Sequence, residues 1–215
     1  MREELLPRAA RVVIPGVPHH VIQRGNRQQR IFMTQGDCRR YVGMLAEACR
    51  AQRVRCLAWC LMPNHVHLVL VPPESDRLRA VMSSVNTRYA QSINRREQLT
   101  GHLFQDRFKS YAMGEAHLTV AVRYVENNPV KAGLAEAAED WRWSSARAHL
   151  GLASDPLTDA SALASHVCDW SAYLRKGIES ADGDEAVQAA LRSGRPVGLA
   201  TAELGTVPPD EGQSP

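Results

Sequence analysis

The chain has 215 residues, of which 44% are hydrophobic, and a formal net charge of +3. That is enough apolar material for the core of one ordinary domain with an appendage. No run approaches the ~20 apolar residues of a membrane span, so a membrane-spanning class is excluded and a soluble one expected.

The opening stretch, MREELLPRAARVVIPG, carries Glu3 and Glu4 early and has no long apolar segment. It reads as a leader without a secretory signal, and the expected location is cytoplasmic, nucleoid-associated if the partner is DNA. GVPHHVIQRG then reads as a strand, with Val17, His19, Val21 and Gln23 on one face and His20 and Ile22 on the other; Gly25-Asn26 is a turn signal. Tyr41, Leu45, Ala48 and Cys49 recur at helical spacing in GDCRRYVGMLAEACRAQ. RVRCLAWCLM and HVHLVLVP read as two strands, and Pro63-Asn64 between them predicts a hairpin.

A longer helix is expected over 76–97, with Leu78, Val81, Met82, Val85, Tyr89 and Ile93 as its apolar stripe. RFKSYAM reads as a fourth strand. EAHLTVAVRYVENN reads as a helix ended by Pro129. Beyond about 150 the signal thins to two short candidate helices, SAYLRKGI and DEAVQAALRSG, and VPPDEGQSP has the composition of a disordered tail. Two α-β units around a hairpin predict an α+β fold: an antiparallel sheet flanked by helices, ferredoxin-like.

Charge divides the chain in the same place. Residues 1–150 hold 22 Lys+Arg against 13 Asp+Glu, a balance of +9, and residues 151–215 hold 4 against 10, a balance of −6. The basic part, 1–150, reads as the working domain with an anionic partner such as nucleic acid, and 151–215 as an acidic appendage. The five cysteines are odd in number and lack the spacing of a disulfide framework. Cys56 and Cys60, four apart on one strand, are expected on one face as buried thiols; a zinc site there would need two further ligands.

His65 and His67 are the residues most out of place. One apart on a strand, they share a face just after a tight turn. They are either two hydrogen-bonded, half-buried histidines or two neutral ligands aimed at one divalent ion, with coordination positions left open. RYVENNP sets Tyr124 and Asn128 one helical turn apart. Tyr124 is either a packing residue or, beside a metal, a nucleophile; Asn128 is either a helix C-cap or a hard oxygen ligand.

Several ordered blocks take the reading further: RGNRQQRIF, MPNHVH, GHLFQDRFKS, RYVENNPVKAGL and WSSARAHL. Together, from about Pro18 to Leu150, they resemble the single-tyrosine HUH transposases (His, hydrophobic residue, His), in the IS200-like group and its REP-associated tyrosine transposase branch. The resemblance implies a ferredoxin-like HUH nuclease fold over 1–150 and a metal-dependent enzyme. Such an enzyme cleaves and rejoins single-stranded or hairpin DNA through a 5′-phosphotyrosine. It implies Tyr124 as nucleophile, His65 and His67 as metal ligands, and Asn128 in the place of the third ligand, where other HUH transposases use Gln.

Mg²⁺ or Mn²⁺ is the implied cofactor, and imidazole ligands favour Mn²⁺. Arg24, Asn26, Phe104, Gln105, Arg107 and Lys109 are the expected DNA contacts, phosphates on the cations and bases on the ring. SGRPVG, flanked by Arg192 and containing Arg195, is a further candidate loop. Other members of the class act as monomers or homodimers, and both remain open. Two rival functions remain: a replication-initiator or relaxase-type HUH nuclease, and a non-catalytic regulator that binds hairpin nucleic acid. Tyr111 is the reserve nucleophile.

Overall fold

A computed structural model describes residues 12–179, 184–193 and 195–199. Its elements run in the order β1 (His19–Arg24), α1 (Gln35–Ala51), β2 (Arg55–Met62), β3 (His65–Val71), α2 (Arg77–Glu97), β4 (Lys109–Ala112) and α3 (Glu115–Lys131). Short helices α4 (Ala146–His149), α5 (Trp170–Glu179) and α6 (Asp184–Ser193) follow. The four strands form one antiparallel sheet in the order β2-β3-β1-β4. A βαββαβ order with that arrangement is the ferredoxin-like topology, so the expected α+β fold is present.

Alternation along β3 decides what each face holds. Val66, Leu68 and Leu70 join the core under α1 and α2, while Val69 and Val71 join a second cluster under α3, α5 and α6. The first face is closed by packed rings: Tyr41 and Tyr89 meet edge-on at 5.1 Å, with Phe32 against both. All six residues of the predicted α2 stripe are buried there.

α1 starts at a capping box in which Thr34 accepts from the Asp37 N–H and the Asp37 carboxylate accepts from the Thr34 N–H. Burial pushes the Asp37 carboxyl up. Hydrogen bonds from Arg96, Thr34 and Met33 outweigh that and hold it below its ordinary value.

Two expectations are corrected. α3 does not stop before Pro129 but runs to Lys131. Proline sits in the last turn, where it deletes one hydrogen bond. The N–H groups of Ala132, Gly133 and Leu134 close the carbonyls of Asn128, Val130 and Pro129, with Gly133 at φ 67. Cys56 and Cys60 do not share a face, because a register shift between Cys56 and Ala58 inserts an extra residue and inverts the alternation. Cys56 joins the α1/α2 core and Cys60 the α3 side. Burial pushes both thiols well up.

The segment after α3 lies against the sheet and the helix before it. Leu61 N–H donates to Trp143 O and Ser145 N–H to Trp59 O, covering the β2 edge. α5 and α6 pack on α3, and Val197 exchanges backbone hydrogen bonds with Ala112 and Gly114 at the β4 end. The expected leader lies almost wholly, and the tail wholly, outside the described residues, as does the Arg192 side chain. Among the described residues no helix is long and apolar enough to cross a membrane.

Candidate active site

The β2–β3 hairpin turns at Pro63-Asn64, and its tip is pinned from the β1 side: Gly25 N–H donates to Asn64 O and Ile31 N–H to Pro63 O, both at 2.8 Å. A Cβ at Gly25 would stand 2.4 Å from Gln29 O, so only glycine lets the loop close that tightly. His65 is therefore the first residue of a fixed strand, with His67 two residues on, both on the α3 side.

The two Nε2 atoms stand 3.0 Å apart. His65 Nδ1 lies 2.6 Å from Asn64 Oδ1, and His67 Nδ1 lies 2.9 Å from Nε2 of His20. Burial, and then Arg24, lowers the His65 ring to about 4. Burial, then His20, His65 and Arg24, takes His67 well below its ordinary value. Both are neutral at physiological pH, the form in which imidazole binds metal.

α3 supplies the other wall. Tyr124 and Asn128 are half-buried and line one cavity of about 510 Å³ with His65, His67, Arg24, Gln105, Asp106, Arg107 and Lys109. The Tyr124 ring meets that of His67 edge-on at 5.9 Å, and Lys131 Nζ lies 5.7 Å from its centroid. Asn128 donates Nδ2 to Tyr124 O at 3.2 Å, which leaves Oδ1 as the acceptor of that side chain. The alternative role of Asn128, capping the helix end with its own side chain, is not what this contact does, since it bonds back into the helix.

The donors fit a hard or borderline divalent ion. Two ligands at ~2.1 Å from one ion and at right angles to each other stand about 3.0 Å apart, the separation observed here. Among the described residues no three of His, Cys, Asp and Glu converge on one point, so a third protein ligand would be an amide. Gln23 lines the same cavity, but its Nε2 donates to Asp106 O and its Oε1 accepts from Asn86. Asn128 and Gln105 are the remaining amides.

Of the six expected DNA contacts, Arg24, Gln105, Arg107 and Lys109 reach this cavity; Asn26 and Phe104 are not among the residues that line it. Asn26 binds Leu103 O through its backbone N–H. Phe104 is half-buried against the α1/α2 core, its ring 6.4 Å from that of Tyr89. Tyr111 is also corrected: it is 2% exposed, and its hydroxyl lies 2.6 Å from His20 Nδ1, so it is no reserve nucleophile. Burial pushes its phenol up.

Sequence reasoning missed three contributors. His20 stands in the sequence only as one face of a strand, yet the β1–β3 pairing carries it to His67. Leu191 of α6 lines the cavity from a region that gave little signal. Glu126, fully buried on α3, takes Ser145 Oγ at 2.6 Å, His149 Nδ1 at 2.6 Å and Trp170 Nε1 at 2.8 Å. It ties WSSARAHL and α5 to the helix that carries Tyr124. A larger cavity of about 650 Å³, lined by Arg39, Trp59, Arg142, Trp143 and Arg147 among others, holds no histidine or tyrosine.

The family model for IS200-like transposases matches residues 15–128, more than half of the chain. This protein belongs to the IS200-like transposase family. Its matched region runs from before β1 to Asn128 and so contains all four residues of the candidate site. The "Putative REP-associated tyrosine transposase" of Haemophilus influenzae is 26% identical over 110 residues, which are 46% of this chain and 62% of that protein. The IS200-like chain thus spans less than two thirds of the length of that curated relative. A solved REP-associated tyrosine transposase bound to a REP hairpin superposes with a TM-score of 0.55 at 22% identity, covering 69% of this chain and 89% of that one. It shares the fold.

Proposed function

We propose that this transposase-family protein is a metal-dependent single-strand DNA endonuclease and strand-transferase of the REP-associated tyrosine branch, acting at hairpin-forming repeat DNA through a 5′-phosphotyrosine. The observation that carries the reading is the shared cavity: Tyr124 and Asn128 from α3 face His65 and His67 from β3. The partner class follows from the similar protein that is bound to a REP hairpin and from the cations at the rim.

Arg24, Arg107 and Lys109 would hold the strand by its phosphates. His65 and His67, with Asn128 Oδ1, would hold Mg²⁺ or Mn²⁺, which supplies Lewis-acid stabilisation of the scissile phosphate. Tyr124 attacks phosphorus in line; a Tyr–O–P bond forms, the P–O3′ bond breaks, and the 3′-oxygen leaves as a hydroxyl. The phenol must lose its proton in this step. A 3′-hydroxyl of another strand reverses the step and restores Tyr124, without ATP. One chain carries all four groups in one cavity.

The test is a 5′-labelled and a 3′-labelled hairpin oligonucleotide incubated with protein and Mn²⁺. A denaturant-stable adduct with the 3′ fragment is expected, absent with Tyr124→Phe. Hairpin binding without any adduct would leave the non-catalytic regulator as the reading. An adduct that persists in Tyr124→Phe would remove this nucleophile.

A further inference from the structure

His67 spends one ring nitrogen on the candidate metal position and the other on a neighbour that is itself buried. His20 is 0% exposed; its Nε2 is 2.9 Å from His67 Nδ1, and its Nδ1 is 2.6 Å from the Tyr111 hydroxyl. The three rings and the phenol form one line of hydrogen bonds from Asn64 at the hairpin tip to Tyr111 on β4.

The position of every proton in that line follows from its Asn64 end. Asn64 donates Nδ2 to Gln28 O at 3.2 Å, so Oδ1 is the atom facing His65 Nδ1. An amide oxygen only accepts, so His65 carries its proton on Nδ1 and a lone pair on Nε2. The 3.0 Å contact between the two Nε2 atoms then requires the proton on His67 Nε2. His67 Nδ1 is bare and accepts from His20 Nε2–H. His20 Nδ1 is bare in turn and accepts the Tyr111 O–H. Every donor is matched.

An ion held by both Nε2 atoms is incompatible with that pattern, because His67 Nε2 must present its lone pair. Its proton then sits on Nδ1, facing His20 Nε2, and His20 must carry its own proton on Nδ1, toward the Tyr111 oxygen. Each imidazole has one proton before and after, so the change is a redistribution with no net gain or loss. Metal-bound histidines commonly fix their tautomer through a partner on the second nitrogen; here that partner is another histidine with a phenol behind it.

We propose that His20 and Tyr111 are positioning residues for His67, and that metal occupancy of the His65–His67 site inverts the tautomer of His20. The proposal rests on the metal site put forward above and deepens it.

Ring-nitrogen NMR of the ¹⁵N-histidine-labelled full chain, without and with Zn²⁺ as a diamagnetic probe ion, tests it without any substitution. The expected result is a ligation shift at Nε2 of His65 and His67 together with a change of His20 from Nε2–H to Nδ1–H. Ligation at His65 and His67 with His20 unchanged would overturn the proposal and leave the metal site standing. No response at His65 and His67 would remove the metal site and the proposal with it.

A second arm measures Mn²⁺ affinity by electron paramagnetic resonance in the absence of DNA. His20→Leu is expected to weaken binding roughly 10–100-fold, the usual effect of losing such a partner. His20→Gln, whose amide oxygen can accept from His67 Nδ1–H, should recover most of it. Equal Mn²⁺ affinity in wild type and a folded His20→Leu would contradict the positioning role.

Discussion

The two faces of the sheet are built from the same strands and do opposite work. Toward α1 and α2, β3 presents Val66, Leu68 and Leu70, and the phenols packed there have bonded hydroxyls: Tyr89 to Ile31 O, Tyr41 to Asn86. Toward α3, the neighbouring positions are His65 and His67, and the face fills with imidazoles, a phenol and an amide around a cavity. A one-residue alternation separates a face that stabilises from one whose buried polar groups cost stability unless they pair. The polar face tolerates this because its histidines bond to one another in a line, and because α5 and α6 cover α3 from outside.

Substitutions at adjacent positions of β3 break the comparison most sharply. His67→Ala should abolish metal-dependent cleavage while hairpin binding largely survives, because binding draws on phosphate contacts; a gel-shift and a cleavage gel on the same protein check both. Leu68→Ala, next door on the other face, should cost about 2–5 kcal/mol of stability by leaving a cavity. It should still form adduct at temperatures where it is folded. Equal loss of cleavage from both would mean that the faces are not functionally distinct.

β1 offers the same contrast at His19 and His20. His19 is fully buried, donating Nδ1–H to Val17 O (2.8 Å) and accepting from Ile14 N–H at Nε2 (3.1 Å), and burial lowers it to about 4. Its unfolded counterpart titrates near 6.5. The unfolded chain therefore binds the proton first, and the stability of this site, complete above about 6.5, falls as pH drops toward 4. The loss reaches about 3 kcal/mol, at ~1.4 kcal/mol per unit. His19→Gln should flatten the fall in melting temperature between pH 7 and pH 4.5; an unchanged slope would show that the ring does not stay neutral when folded.

The smallest effect is expected at Asn128. If its Oδ1 is the third ligand, Asn128→Ala should raise the Mn²⁺ concentration needed for half-maximal cleavage, with extra Mn²⁺ restoring part of the rate. If its bond to Tyr124 O only steadies the helix, about 1 kcal/mol of stability should go with the metal midpoint unmoved. Gln105, on the same cavity, would then be the amide to test.

Much of this arrangement was legible in the sequence. Period-3.6 and period-2 patterns located the strands and the longer helices, the α2 stripe matched its buried residues, and H-x-H on a strand put two imidazoles on one face. Contacts set by pairing register were not legible. His20 meets His67 only because β1 lies antiparallel to β3 with Ile22 opposite His67, and nothing local in PHHVI announces it.

The bulge that turned Cys56 away from Cys60 is likewise a property of two strands, and Pro129 ended the predicted helix early because its turn is closed by residues beyond it. Phe104 looked like a stacking ring because it sits among cations in sequence. In the structure the ring is half-buried, packed against the α1/α2 core beside Leu103.

The central claim is that Tyr124, on the polar face, becomes covalently joined to DNA. Peptide mapping by mass spectrometry of the complex trapped with a hairpin oligonucleotide and Mn²⁺ tests this most directly. A single nucleotide-bearing peptide is predicted, modified through a 5′-phosphate at Tyr124. A modification at any other residue, or an unmodified protein after the hairpin has been cleaved, would contradict the account.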